Sequence, residues 1–165
     1  MTLDMNVPDL KIRLATQNDT ALILQFIKEL AEYEHMLNEV VATEDILNEF
    51  LFEQKKAEVI IGEYKQQPVC FALFFHNFST FLGRPGIYLE DLYVKPEMRG
   101  KGFGRMVLSY LARLAKERKC GRLEWSCLDW NEPSISFYKK MGARPMEEWT
   151  VYRVQDETLD KLADL

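Results

Sequence analysis

The sequence predicts an α/β (α+β) fold with a mixed, mostly antiparallel central sheet flanked by helices. Three observations carry this expectation: β-rich runs bounded by turn residues, helical stretches with apolar residues three and four apart, and an order in which a strand meander precedes crossover helices. In order, Lys11–Ala15 alternates as a short strand, and Thr16 with Asp19 forms a capping-box pattern that opens a helix. Leu22, Ile23, Phe26, Ile27 and Leu30 recur at helical spacing, so this helix should run to about Tyr33. Thr43 caps a second, shorter helix to Phe50. Ala57–Tyr64 and Val69–His76 form strands joined by a hairpin turn at Lys65-Gln66-Gln67-Pro68, and Ile87–Val94 is a third strand ending at Lys95-Pro96. Met106, Val107, Tyr110, Leu111 and Leu114 mark an amphipathic helix from Phe103 that stops near Cys120-Gly121. Arg122–Leu128 alternates as a strand, Pro133 suits the first turn of a helix to Met141 with Gly142 as its cap, and Trp149–Val154 reads as a last strand. The expected order is β-α-α-β-β-β-α-β-α-β.

Composition limits the function classes. The 165 residues fit a single domain, residues 1–165, with residues 1–10 as an N-terminal tail. The apolar runs are too short to span a membrane, and Met1–Leu10 lacks the basic and apolar regions of a signal peptide. Three cysteines, Cys70, Cys120 and Cys127, are an odd number without metal-ligand spacing, which points to reduced thiols and a cytoplasmic location. A net charge of −5 argues against a general nucleic-acid partner and permits a cationic substrate. Against that acidic background, Lys95, Arg99, Lys101 and Arg105 cluster within one short stretch.

That stretch is Arg99-Gly100-Lys101-Gly102-Phe103-Gly104-Arg105, between a strand and the start of a helix. Such a layout offers backbone N–H groups and the positive end of a helix dipole to an anion, and a pyrophosphate is the natural guest. Turn and cap glycines are the plainer explanation of a lone motif. A dinucleotide fingerprint lacks its third glycine, since Arg105 stands there, and no P-loop pattern occurs. Lys101-Gly102-Phe103-Gly104 mimics the start of an RNA-recognition octapeptide, but Arg105-Met106-Val107-Leu108 continue a helix instead.

The R-x-x-G-x-G pattern of Arg99–Gly104, after an acidic strand and before an amphipathic helix, resembles the acetyl-CoA motif of the GCN5-related N-acetyltransferase (GNAT) superfamily. Asn131, Ser134, Phe137-Tyr138 and Gly142-Ala143 are similar to that superfamily's N-x-x-[SA]-x-x-[FL]-Y-x-x-x-G-[FA] element. Lys28–Glu34, Tyr88–Asp91 and Trp130–Ser134 further resemble segments of the diamine (spermidine/spermine) and thialysine acetyltransferases. The resemblance covers roughly Lys11 to Val154. It implies an acetyl-CoA-dependent enzyme acting on a primary amine of a small cationic acceptor, such as a polyamine, a diamine or a lysine-like amino acid, in a homodimer and without a metal.

Acetyl transfer to an amine requires removing a proton from an ammonium with a reference pKa near 10.4. Glu90 and Asp91 are candidates to do so, directly or through water, and neighbours on a strand point to opposite faces. The resemblance favours Glu90 as base and Tyr138 as the acid that protonates the departing thiolate, while a core aromatic is the alternative for Tyr138. It also implies main-chain contacts from Leu92, Tyr93 and Val94 to the cofactor, pyrophosphate contacts from Arg99 to Arg105, and further cofactor contacts from Asn131, Ser134 and Tyr138. Tyr33, Glu34, Glu90, Asp91, Glu124, Trp125 and Ser126 match acceptor-side positions, although Glu34 reads equally well as a solvated helix-end charge. Cys127 as a nucleophile ranks below direct attack in a ternary complex, because neither His35 nor His76 is placed beside it by the sequence. A non-catalytic CoA-binding sensor, or an enzyme for protein lysines or N-termini, are the alternatives.

Overall fold

Apolar runs buried on both faces, at residues 59–62 and 69–72, build the middle of the sheet. The computed structural model describes residues 9–165, so most of the expected tail lies outside the described residues. Strands β1 (Lys11–Leu14), β2 (Glu58–Tyr64), β3 (Gln67–Ser79), β4 (Arg84–Val94) and β5 (Leu123–Trp125) lie side by side in chain order. The first three pairings are antiparallel and the β4–β5 pairing is parallel. The expected mixed, mostly antiparallel sheet is therefore present. The chain divides into two compact units, one ending at Ser126 and the other spanning Cys127–Leu165.

In the first unit, helix α1 (Thr20–Tyr33) covers one face of the sheet. Its Ile23 and Phe26 pack with Leu51, Val59, Ile61, Phe71 and Tyr93, and the Phe26 and Phe71 rings stack at 5.3 Å. Residues that alternate with these along the strands, including Ile60, Cys70, Ala72, Phe74 and Leu89, are also buried. By the period-two rule they form the opposite face, the side of helix α3 (Phe103–Glu117), whose Phe103, Val107, Leu108 and Leu111 are buried. Two charged clamps hold the helices to the sheet. Arg13 donates from both terminal nitrogens to Asp19 at 2.8 Å each, which ties the capping box to β1 and holds the Asp19 carboxyl below its usual range. Arg118, at the end of α3, donates two bonds to Glu58 on β2 at 2.6 and 2.9 Å.

Several boundaries differ from the sequence pattern for local reasons. The capping box opens a 3-10 turn over Gln17–Asp19 ahead of α1, rather than α1 itself. Helix α2 (Glu44–Leu47), capped by the Thr43 hydroxyl, continues as a π-helical turn over Asn48–Glu53. Lys65 and Gln66 both take positive φ, the signature of a tight type I′ hairpin, so β3 begins at Gln67 and carries Pro68 beside a bulge. The β3–β4 hairpin runs on to Ser79 and Arg84, where Pro85 pairs with Phe78 and masks the strand pattern. β5 is shorter than the expected Arg122–Leu128 strand.

The second unit contains α4 (Glu132–Lys140) and α5 (Asp156–Ala163). The strand expected over Trp149–Val154 is absent. That segment pairs with no strand, and Val151 and Tyr152 are 81% and 92% exposed, so its apolar alternation has no sheet on which to register. Helix α5 went unread in the sequence. It shows the acidic first turn of Asp156 and Glu157 and a basic Lys161 near its end.

Gly62 is tightly packed: a Cβ there would overlap the Sγ of buried Cys70 across the β2–β3 pair. Burial pushes the Cys70 thiol up to about 12, which marks it as a packed core thiol. Gly62→Ala should cost about 1–3 kcal/mol in chemical denaturation, and adding Cys70→Ala should recover part of that loss. Equal stabilities of the Gly62→Ala and wild-type proteins would contradict this packing.

Candidate active site

The site is organised by one irregularity in β4. Leu73 pairs with Asp91 while the adjacent Phe74 pairs with Leu89, so Glu90 is an extra residue without a partner on β3. This is a β-bulge. In a regular strand Leu89 and Asp91 would share a face, but here they do not. Leu89 faces the α3 side with Phe74, whereas Asp91 follows Leu73 and Tyr93 onto the α1 side. Glu90 is exposed at the bulge itself. The parallel pairing with β5 also ends there, at Leu89–Trp125. Among the described residues, the β5-side edge of β4 over Leu92, Tyr93 and Val94 pairs with no strand. That leaves the edge the sequence reading reserves for main-chain cofactor contacts.

On the α1 side, Asp91 meets the end of that helix. His35 at φ 60° closes α1, with Met36 N–H donating to Ala31 O at 2.7 Å and His35 N–H to Glu32 O at 3.1 Å. This is a Schellman motif, and it presents Tyr33 and Glu34 at the helix end. Burial, followed by the neighbouring charges of Glu90 and Glu34, raises the Asp91 carboxyl to about 6. Burial also raises the Glu34 carboxyl. Three carboxyl groups thus share one region, and an alkylammonium there would relieve their repulsion.

The glycine-rich loop follows a 3-10 turn over Pro96–Met98. Gly100 and Gly102 take φ of 77° and 86°, a region that a side chain at either position would strain. Gly102 stands at the N-cap of α3 and no side chain caps the helix there. The first turn's N–H groups at Phe103, Gly104 and Arg105 precede the first intrahelical bond, from Met106 N–H to Gly102 O at 3.1 Å. Lys101 is exposed beside them. The loop fits an anionic cofactor group. Arg99 does something different: its Nε donates to Val94 O at 3.0 Å, and its guanidinium lies 4.7 Å from the Tyr33 ring centroid and 5.6 Å from that of Tyr93. These three residues line a cavity of about 420 Å³ with Glu29, Glu32 and Glu97. Burial, followed by the Glu29 carboxylate, pushes the Tyr93 phenol up to about 12.

The β5 candidates are held within the sheet region. Glu124 accepts from Asn77 at 3.0 Å and pairs with Arg122 at 2.8 Å. Ser126 and Tyr88 share a hydroxyl–hydroxyl bond of 2.7 Å, and Trp125 pairs with Leu89. In the second unit, Asn131 is the N-cap residue of α4 and buried, Ser134 lies in its first turn, and Tyr138 follows one turn later. Their spacings of three, four and seven place them on one face of the helix. Gly142 at φ 87° ends α4 as expected, with Ala143 N–H donating to Tyr138 O at 3.0 Å. Among the described residues, no group of three or more His, Cys, Asp or Glu is arranged to hold a metal. No helix there is long and apolar enough to cross a membrane.

Sequence reasoning reached Asp91 and Glu34 but missed the bulge that brings them together. The period-two rule assumes an unbroken strand, and the only cue was a charged pair, Glu90-Asp91, inside an otherwise apolar run. The stacking of Arg99 on Tyr33 likewise had no sequence signal, since 66 positions separate the two residues.

An open-edged strand with a bulge, followed by a glycine turn into an uncapped helix, is the arrangement of an N-acetyltransferase. The chain belongs to the acetyltransferase (GNAT) family, whose model matches residues 23–143. It is 35% identical to the thialysine N-epsilon-acetyltransferase of Bos taurus, covering 92% of this chain and 96% of that one. It is 28% identical to an L-ornithine N5-acetyltransferase of Arabidopsis thaliana, with 94% and 88% covered. Among solved structures, an integron cassette protein from the mobile metagenome of V. cholerae superposes with a TM-score of 0.79 at 29% identity, over 94% of this chain and 98% of that one.

Asp91→Asn separates stability from catalysis. A carboxyl whose folded pKa is raised makes the native state bind more protons than the unfolded chain, so its ionisation costs stability as pH rises from about 4 through about 6. At pH 7 the variant should therefore be more stable by up to about 3 kcal/mol, and this gain should vanish by pH 4. Urea denaturation at both values checks the sign; a variant destabilised at pH 7 would contradict it.

Proposed function

We propose that the protein transfers an acetyl group from acetyl-CoA to a primary amine of a small cationic acceptor, such as a lysine-like amino acid, a diamine or a polyamine. The observation that carries this reading is the crowding of Asp91, Glu34 and Glu90, whose mutual repulsion a positive acceptor offsets. The relatives' names, thialysine N-epsilon-acetyltransferase and L-ornithine N5-acetyltransferase, support it, because both acceptors are amino acids with a side-chain amine. The family match spans residues on both sides of Ser126, which supports reading the two units as parts of one acetyltransferase domain.

Acetyl-CoA, when bound, supplies an activated acetyl thioester. The N–H groups of Gly100 to Arg105 and the Lys101 ammonium bind its pyrophosphate, with Leu92 to Val94 offering main-chain groups along the open edge. Asn131 and Ser134 add contacts from α4. Asp91 and Glu34 hold the acceptor's positive charge, with Tyr33, Glu124, Trp125 and Ser126 forming the acceptor side. Glu90, exposed on the bulge, accepts the amine's proton directly or through water, and a neutral amine is then the nucleophile. The Tyr138 phenol is the proton donor to the departing sulfur, a role with a modest demand because a thiol of pKa about 8.5 leaves readily. Direct attack needs no covalent enzyme intermediate. The odd number of cysteines, three, with Cys70 packed in the core, supports a reducing, cytoplasmic location. The exposed Phe78 and Phe81 at the β3–β4 hairpin tip are an apolar surface that a homodimer could cover.

The test is a panel of thialysine, lysine, ornithine, putrescine and spermidine with acetyl-CoA, following thiol release over pH 5 to 9. At least one amine should be acetylated, with kcat/KM rising through an apparent pKa near 6 as Asp91 ionises. Tyr138→Phe should lower kcat by about 10²-fold or less, the low end for a general acid, because the thiol leaves readily. Binding of CoA without turnover of any amine would overturn the reading.

A further inference from the structure

Arg99 opens the glycine-rich motif, and its charge would suit a pyrophosphate, yet its side chain is turned away to other partners. Its Nε is bonded to Val94 O, and its planar cation lies over the rings of Tyr33 and Tyr93. Tyr33 is the last residue of α1, Val94 and Tyr93 end β4, and Gly100 follows Arg99 directly. The loop between β4 and α3 contains just one 3-10 turn, held by Lys95 N–H to Val69 O at 2.9 Å and Met98 N–H to Lys95 O at 2.9 Å. Beyond that turn, Arg99 reaches the helix end through Tyr33, while Lys95 at the start of the loop lies over Phe26 further back on α1.

We propose that Arg99 is a positioning residue that fixes the Gly100–Gly104 loop against Tyr33 at the end of α1, rather than a side-chain ligand of the cofactor's phosphates. The proposal rests on the reading of that loop as the pyrophosphate site. A guanidinium suits this role because it can donate in plane while its face lies on an aromatic ring, and an ammonium cannot do both. Glu29, Glu32 and Glu97 line the same cavity along with Lys95, and the three carboxylates outnumber that ammonium, leaving a net negative field that favours the cation there. The phosphates then rely on backbone N–H groups, the helix dipole and Lys101. Because Tyr33 precedes Glu34, the clamp also joins the cofactor loop to the acidic acceptor side. Movement of the helix end on acceptor binding would reach the cofactor loop through this contact, and the coupling would act equally in reverse.

The experiment is calorimetric titration of CoA into wild type, Arg99→Ala, Arg99→Lys, Tyr33→Leu, the Arg99→Ala/Tyr33→Leu double variant and Lys101→Ala, at two salt concentrations, with thermal melts confirming folding. The clamp predicts that Arg99→Ala, Arg99→Lys and Tyr33→Leu each weaken CoA about fivefold, and that the double variant is no worse than either single. Salt dependence should stay at the wild-type value in the Arg99 and Tyr33 variants and fall only in Lys101→Ala. Should Arg99→Ala fail to fold, Arg99→Lys with Tyr33→Leu decides the same question. Rescue by Arg99→Lys, additive losses, or a reduced salt dependence on removing Arg99 would each overturn the clamp in favour of a phosphate ligand. A wild-type protein that binds no CoA would instead refute the pyrophosphate reading of the loop, and the proposal with it.

Discussion

The extra residue in β4 is the constraint on which the site depends. Without Glu90 as a bulge, the period of two would place Asp91 on the same face as Leu89, among the apolar side chains of the α3 side. With it, Asp91 faces the end of α1 and comes within electrostatic reach of Glu34. The same irregularity coincides with the end of β5 pairing, which frees the last residues of β4. One inserted residue thus creates an acidic acceptor wall and an open backbone edge together. Both lie within a sheet whose other pairings are held by ordinary apolar packing.

That arrangement carries an energetic cost. Burial first, and then the charges of Glu90 and Glu34, raise the Asp91 carboxyl well above its usual range, so the native state ionises it at the expense of stability. A cationic ligand offsets the cost when it binds, which turns stored repulsion into affinity. The surrounding structure must hold the groups in place meanwhile. The Arg13–Asp19 clamp at the start of α1, its Schellman end at His35, and the buried stack of Phe26 on Phe71 do so. These features are local and rigid, as a site built on strained electrostatics requires.

Much of the fold was legible because it rests on local rules. The apolar spacing of Ile23 and Phe26, the continuous β-branched run of Val59, Ile60 and Ile61, and the glycine caps at Gly102 and Gly142 each state their own geometry. What escaped was set by partners distant in sequence. The segment Trp149–Val154 has a strand's pattern but pairs with no strand and leaves Val151 and Tyr152 exposed, and the bulge at Glu90 exists only in register with Leu73 and Phe74. The site followed the same division. Both motifs named the residues, while the orientation of Arg99 toward Tyr33 and the opposition of Asp91 to Glu34 needed three dimensions.

The most direct measurement is the pH titration of the Asp91 side-chain carboxyl by ¹³C NMR, in the wild type and in Glu34→Gln. The bulge and the helix end together place the wild-type value at about 6. Removing the Glu34 charge should lower it. An Asp91 carboxyl titrating near its reference value of about 3.9, or one indifferent to Glu34, would contradict the placement on which the site is built.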